Sequence, residues 1–322
     1  MSDPLRVMVH DRDTGALERR LAEAFPQVEV TACTSYASLP EAIATHRPDV
    51  LYSVRFAGTP GFAAEAIFTS GGPRWVSNGG VGTDHFGQWD SDRTTVTNAA
   101  GVGADAMADY VIGGFLHFSL DVPGLQQDKR ARVWRDREVS PLRGKTLLII
   151  GLGHTGRAIA LRAKAFGMTV IGTRARPEPT AHVDEVFAAT TLDTLLPRAD
   201  CIAICTPLVP ATRSLVAAPQ FARMKPGVLL ADVSRGGVMD QQALLAALSD
   251  GRVAGAALDV FEEEPLPPEN PLWSVENLLI SPHCSSVFAG WGDASFEIFL
   301  ANLGRFLKRE PLQNVVDPGR GY

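Results

Sequence analysis

Cysteine is scarce. The 322 residues hold four, Cys33, Cys201, Cys205 and Cys284, with no C-x-x-C pair. Cys201 and Cys205 share one apolar, strand-like run, and four residues along a strand cover about 13 Å, too far for a disulfide or a shared metal. No metal site and no disulfide framework is therefore expected, and reduced thiols suit a cytoplasmic protein. Long apolar runs are also missing. The longest candidate, residues 108–122, is broken by Asp109, His117 and Asp121, short of the roughly 20 apolar residues of a membrane span. The first seven residues run straight into a strand-like segment without a basic and then apolar leader, so a secretory signal is not expected. Positive charge is not in excess: the formal net charge is -6, which disfavours a general nucleic-acid or anionic-membrane binder. Lysine is nearly absent, at Lys129, Lys145, Lys164, Lys225 and Lys308 alone, which reflects genome composition more than function.

What is present is an ordinary globular composition, 45% hydrophobic and 20% charged. At roughly 150 residues per domain the length predicts two domains, each able to bury a core of its own. Short β-branched runs alternate with amphipathic stretches. Strands are predicted over 6–10, 28–32, 50–54, 75–78 and 94–98, with helices over 14–25, 40–46 and 61–69. A long apolar helix over 104–120 and a polar stretch over 126–143 follow. Six more strands are predicted over 146–150, 169–173, 201–205, 228–232, 256–260 and 278–281. Such alternation builds parallel sheets from βαβ units. A last amphipathic helix over 294–308 is expected to cross back to the first domain and make it discontinuous. The Pro-rich 264–268 reads as a surface turn.

Gly151-Leu152-Gly153-His154-Thr155-Gly156 follows an apolar strand and opens a helix. In that context G-x-G-x-x-G is a dinucleotide fingerprint, because the glycines admit a pyrophosphate and the helix N-terminus offers free N–H groups. His154 occupies a loop position facing cofactor phosphates and carries no catalytic role. The next strand of an NAD enzyme ends in a carboxylate that accepts from the ribose 2′-OH. Here the chain reads Thr173-Arg174-Ala175-Arg176. Two guanidiniums, with Thr173 as a further donor, suit the 2′-phosphate of NADP(H), so NADP(H) is expected over NAD(H).

Three later segments end predicted strands: Asp232-Val233-Ser234-Arg235-Gly236-Gly237, Leu258-Asp259-Val260-Phe261-Glu262-Glu263-Glu264-Pro265 and Ile280-Ser281-Pro282-His283. In an open parallel sheet that edge binds ligands, so an Arg, a Glu and a His converge near the nicotinamide end of the cofactor. With the glycine loop upstream, these segments at their spacing resemble the D-isomer-specific 2-hydroxyacid dehydrogenase family, and the resemblance spans essentially the whole chain. The stretches 266–273 and 315–322 look like its glyoxylate/hydroxypyruvate reductase branch. The resemblance implies an α/β fold: two doubly wound parallel-sheet domains, with a Rossmann dinucleotide-binding domain, 101–289, inserted in a flavodoxin-like substrate domain, 1–100 and 290–322.

The chemistry that follows is reduction of a small 2-oxo acid to a D-2-hydroxy acid. His283 is expected to donate the proton, since an imidazole titrates near working pH. Glu264 is expected to pair with its other nitrogen, fixing the tautomer and favouring the charged form. Arg235 is expected to hold the substrate carboxylate and polarise the carbonyl. The resemblance also implies Thr206, Pro207 and Asp259 as cofactor-binding residues. Asp232 stands where the family often has Asn, and Cys284-Ser285-Ser286 where it has an apolar residue and two small ones. Cys284 reads as a packed small residue.

On the substrate side, Asn78-Gly79-Gly80-Val81-Gly82-Thr83-Asp84 resembles the family loop whose N–H groups meet the substrate carboxylate, at Gly80, Val81 and Gly82. Arg55, in Arg55-Phe56-Ala57-Gly58, either reads a second anionic group or is simply exposed. Residues 104–138 resemble the family's dimerisation arm, whose apolar helix is too long to be left uncovered, so a homodimer is expected. Two rival readings remain: a formate dehydrogenase-like enzyme, against which Glu264 speaks because that enzyme has Gln there, and a dinucleotide-sensing scaffold resembling the corepressors that share the fold.

Overall fold

A computed structural model of the protein describes residues 4–56 and 61–320. The chain divides into two compact units, Met1–Val102 with Ala289–Tyr322, and Gly103–Phe288.

The first unit holds five parallel strands: β1 (Arg6–His10), β2 (Glu29–Cys33), β3 (Val50–Ser53), β4 (Trp75–Asn78) and β5 (Thr95–Thr97). Their spatial order is β2-β1-β3-β4-β5, the flavodoxin-like arrangement. The helices between them are α1 (Gly15–Ala24), α2 (Leu39–His46) and α3 (Ala64–Ile67). Successive side chains of a strand face opposite sides. Val7 and Val9 of β1 enter one core with Leu17 and Leu21 of α1; Met8 enters the other, with Leu39 and Ile43 of α2. The helix predicted over 61–69 shrinks to the four residues of α3, because past its C-cap Phe68 the chain folds back so closely that a Cβ on Gly72 would stand 2.0 Å from the Ile67 carbonyl oxygen.

The second unit begins with α4 (Ala104–Ser119) and α5 (Val122–Ala131). The sequence reads 126–143 as a polar stretch, yet α5 is a helix. Asp121 caps it by accepting the N–H of Gly124 at 3.1 Å, and Arg137 returns to Asp121 and Asp128. A helix held by caps and ion pairs shows no apolar periodicity. There follow β6 (Thr146–Ile150), α6 (His154–Ala165), β7 (Thr169–Arg174), β8 (Glu185–Ala188), α7 (Leu192–Leu195) and β9 (Cys201–Ile204). The unit closes with α8 (Ala218–Arg223), β10 (Val228–Asp232), α9 (Gln241–Ser249), β11 (Val253–Leu258) and β12 (Leu278–Ile280). The sheet has seven strands rather than six, in the order β12-β11-β10-β9-β6-β7-β8. The added strand, β8, is a four-residue edge pairing in parallel with β7, too short and too polar at its start to announce itself. Leu148 and Ile150 of β6 face one core and Leu147 and Ile149 the other.

The apolar face of α4 is covered within its own unit. Ala108, Val111, Ile112 and Phe115 are buried with Leu147, Ile149 and Ile159, so the apolarity of this helix needs no second chain. The exposed apolar residues lie further on: Leu125, Val133, Val139, and Trp134 at 97% exposure. The chain then returns to the first unit through α10 (Trp291–Lys308). Phe296, Phe299 and Leu303 fill the core under Tyr52 and Trp75. Among the described residues no helix is long and apolar enough to cross a membrane.

Candidate active site

The carboxyl ends of β6, β7, β9, β10, β11 and β12 carry the residues singled out from the sequence in the second unit. After β6 the chain turns through Gly151, whose φ of +106 is one that side chains rarely adopt. A Cβ on Gly156 would stand 2.1 Å from the Gly151 carbonyl oxygen, so only glycine lets α6 start this close to the strand. Gly153, the N-cap of α6, faces open space. His154 and Thr155 follow it in the first turn, where N–H groups have no intrahelical partner. Burial, with Arg157 nearby, holds the His154 pKa below its ordinary value. This open, glycine-lined helix start fits a pyrophosphate.

The end of β7 carries no carboxylate. Thr173 is buried, and its carbonyl accepts the N–H groups of Gly151 and Leu152 at 3.1 Å. Arg174 is half-buried and pairs with Glu178 at 2.5 Å, while Arg176 is exposed. Glu178 had no place in the sequence reading. Thr206 and Pro207 follow β9 and are half-buried. Cys205, just before them, donates its thiol to the Gly151 carbonyl at 3.2 Å and is pushed well above the usual thiol range by burial.

His283 and Glu264 meet. His283 Nδ1 lies 2.8 Å from Glu264 Oε2, and Glu264 Oε1 accepts the Phe261 N–H at 3.0 Å. Burial raises the Glu264 pKa, but the hydrogen bonds from His283 and Phe261 and the charges of His283 and Arg235 outweigh it and hold the carboxyl below its ordinary value. Arg235 is half-buried, and its Nη1 donates to the Ser234 carbonyl at 2.7 Å. A Cβ on the following Gly236 would fall 1.8 Å from the Phe261 carbonyl oxygen. That glycine lets the Arg235 turn close against the segment that carries Glu264.

His283 itself has φ 51, a left-handed conformation that costs a residue with a side chain about 1–2 kcal/mol. The cost is offset next door. Asp259, 2% exposed, accepts from Ser281 Oγ at 2.6 Å, Cys284 N–H at 2.8 Å, and Ser285 N–H and Oγ. The Tyr110 and Ser281 hydroxyls are 2.9 Å apart. Tyr110, Ser281 and Ser285 were invisible as site residues in the sequence, because a hydroxyl carries no positional pattern. Cys284 is exposed, not packed as its neighbours suggested. Its thiol pKa is raised by partial loss of water and by the nearby Asp259 charge. The Asp232 carboxyl, fully buried at the end of β10, accepts from Ser234 N–H at 2.9 Å and from Ser234 Oγ. Burial raises its pKa from 3.8 to about 7 against these bonds, with Asp259 adding to the rise.

In the first unit, the loop after β4 is held by two asparagines. Asn78 Nδ2 donates to the carbonyls of Gly80, at 3.0 Å, and Gly82, at 2.8 Å; Asn98 Nδ2 donates to that of Val81 at 2.7 Å. In a trans peptide the N–H points opposite to the C=O. The N–H groups of Val81, Gly82 and Thr83 are thus turned away from the asparagines. That Asn78 and Asn98 hold this loop escaped the sequence reading, because each looks like an ordinary strand-end turn residue. Arg55 is exposed and sits 3.6 Å from Asp84. Ala57 and Gly58, and Gly321 and Tyr322 at the end, lie outside the described residues. Among the described residues no group of three or more His, Cys, Asp or Glu could hold a metal.

These features have counterparts among known proteins. A model of the D-isomer specific 2-hydroxyacid dehydrogenase NAD binding domain matches residues 112–285. A glyoxylate reductase of Thermococcus litoralis is 35% identical over 231 residues, 69% of this chain and 70% of that enzyme. A D-3-phosphoglycerate dehydrogenase of Methanocaldococcus jannaschii is 33% identical over 250 residues; the match covers 75% of this chain but only 47% of that protein. A D-isomer specific 2-hydroxyacid dehydrogenase from Xanthobacter autotrophicus Py2, solved in complex with NADPH and MES, is 28% identical with a TM-score of 0.83 over 100% of both chains. With two doubly wound parallel sheets and a His–Glu pair beside an arginine at the strand ends, the chain belongs to the D-isomer specific 2-hydroxyacid dehydrogenase family.

Proposed function

We propose that the protein is an NADP(H)-dependent reductase of small 2-oxo acids of the glyoxylate or hydroxypyruvate kind, forming the D-2-hydroxy acid. The observation that carries this reading is the 2.8 Å pair of His283 Nδ1 with Glu264 Oε2. It leaves the imidazole Nε2 outside the pair as the proton donor to a carbonyl oxygen. A bound nicotinamide supplies the hydride. Arg235 holds the substrate carboxylate, for which its guanidinium is a matched fork of donors. The backbone at Gly80, Val81 and Gly82 and the side chain of Arg55 are assigned to the substrate. Gly151, Gly153, His154, Thr155 and Gly156 cradle the pyrophosphate, Thr206 and Pro207 line the cofactor further along, and Thr173, Arg174 and Arg176 stand at the adenosine ribose.

The NADP(H) preference rests on the absence of an acid at the end of β7 and on the two arginines there. The Thermococcus litoralis relative is named a glyoxylate reductase, and the Xanthobacter autotrophicus protein was solved with NADPH; both agree with this assignment. We further assign a second copy of the chain to the 104–138 region, where Trp134 is 97% exposed, and a reducing, cytoplasmic setting that suits four unpaired thiols.

The test is NADPH oxidation by the purified protein against a panel of 2-oxo acids: glyoxylate, hydroxypyruvate, pyruvate and an aryl-substituted member. Turnover with the small members supports the reading. Binding of NADPH with no turnover on any member makes the protein a dinucleotide-sensing scaffold. Formate-dependent cofactor reduction makes it a formate dehydrogenase-like enzyme.

A further inference from the structure

We propose that Ser295, on the returning helix α10, is a positioning residue that fixes the loop after β4 by gripping the carbonyl of Gly79, and that Tyr52 of β3 holds Ser295 in turn. The inference rests on the reading of the backbone at residues 80–82 as the seat of the 2-oxo acid carboxylate.

The inner face of α10 is built of Phe296, Phe299 and Leu303, in one core with Tyr52 and Trp75. Ser295 is buried beside them at 2% exposure, and a hydroxyl taken from water into such a core is unfavourable unless it is hydrogen-bonded. Its Oγ donates to the Gly79 carbonyl at 2.6 Å and stands 3.2 Å from the Tyr52 hydroxyl. A serine hydroxyl has a single proton. That proton goes to Gly79, so Ser295 accepts from Tyr52. Burial pushes the Tyr52 hydroxyl up to about 12, and it keeps its proton at any working pH.

Gly79 is the first residue past β4, and both of its polar groups are held. Its N–H donates to the Ser53 carbonyl at 2.8 Å, which carries the pairing of β3 with β4 one residue beyond Asn78. Its carbonyl is held by Ser295. A side chain has no room there: a Cβ would stand 2.7 Å from Val54 Cγ2 and 2.9 Å from the Tyr52 oxygen. In a trans peptide the next N–H points opposite to the carbonyl, so the Ser295 bond sets the direction of the Gly80 N–H. Asn78 and Asn98 do the same for the three N–H groups that follow, by taking the carbonyls of Gly80, Val81 and Gly82. Ser295 thus supplies from α10 what the asparagines supply from the strand ends.

The experiment compares Ser295→Ala, Tyr52→Phe and the double variant in the full-length protein. Three readouts are taken: kcat and KM for glyoxylate at saturating NADPH, NADPH affinity by fluorescence titration, and 15N order parameters of the Gly80, Val81 and Gly82 amides in the unliganded protein. A carboxylate anchor serves ground state and transition state alike. Positioning therefore predicts a glyoxylate KM raised about fivefold to thirtyfold in Ser295→Ala, with kcat within about threefold and the NADPH Kd within about twofold of the parent. The order parameters are expected to fall from about 0.85 towards about 0.6. Tyr52→Phe acts through Ser295, so it is expected to raise KM less and to add nothing to Ser295→Ala. Three results overturn the proposal. The first is Ser295→Ala with KM and order parameters unchanged. The second is a joint loss of kcat, substrate affinity and NADPH affinity, which makes the hydroxyl a support of the core alone. The third is additive effects in the double variant. If the parent reduces no 2-oxo acid, the functional reading fails, yet the order parameters still decide whether Ser295 holds the loop.

Discussion

Replacing Asp232 with Asn isolates one buried charge. The carboxyl is 2% exposed, sits at the end of β10, and has its pKa raised from 3.8 to about 7 by burial and by Asp259. A carboxyl with a raised folded value favours the folded state fully below its unfolded pKa. That advantage is lost as pH climbs towards the folded value, because the unfolded chain sheds its proton first. One pKa unit corresponds to about 1.4 kcal/mol, so the loss between acid and pH 8 is about 4 kcal/mol. Asn is isosteric, stays neutral, and its Oδ1 still accepts the Ser234 N–H and hydroxyl. The variant is therefore expected to gain about 1 kcal/mol over the parent at pH 4.5 and about 4 kcal/mol at pH 8. Urea denaturation of both proteins across this range measures the difference, and other carboxylates cancel in it. A stability difference that does not change with pH would refute the reasoning, because it would mean that Asp232 titrates alike in both states.

Further substitutions test the site. His283→Ala is expected to lower turnover by about 10²–10⁴-fold with NADPH binding nearly intact; near-normal turnover would remove it from the chemistry. Glu264→Gln removes the carboxylate that orients the imidazole, so kcat for 2-oxo acid reduction is expected to fall about 10–100-fold; unchanged turnover would count against the pairing. The same change should abolish a stability increment that is present above the ordinary carboxylate pKa and lost as pH falls through the lower folded value of Glu264; an unchanged acid-denaturation curve would count against the pairing. Arg235→Lys keeps the charge and loses the fork, so kcat/KM for the 2-oxo acid is expected to fall about 10–100-fold while NADPH affinity holds; equal damage to both would make Arg235 structural. Arg174→Ala with Arg176→Ala is expected to raise the KM for NADPH strongly and spare NADH, whereas Glu178→Gln, by freeing Arg174 from its 2.5 Å partner, is expected to lower it; equal kcat/KM for both cofactors in the parent would defeat the NADP(H) assignment.

The β-branched runs by themselves determined most of the sheet. β1, β4, β6 and β10 begin and end where the alternation places them, because a strand buried on both faces has no choice of residue type. The glycine loop was equally legible, since Gly156 answers a steric demand that no other residue meets. The pairing of Glu264 with His283 could be expected from the resemblance, and its partners stand 2.8 Å apart. Tertiary structure decided the rest. Whether the apolar face of α4 meets its own sheet or another chain is a question of packing, which periodicity does not address. The polar α5 exists through the bonds of Asp121, Asp128 and Arg137, made between residues that no repeat links. Asp232 ends β10 and Asp259 follows the end of β11, and both are buried, yet Asp232 meets the N–H and hydroxyl of Ser234 two residues on, whereas Asp259 collects hydroxyl and N–H donors from the distant 281–285 turn. A carboxyl group's behaviour is set by the groups that fold brings within hydrogen-bonding distance and by the water it excludes, and neither is written in the identity of the residue.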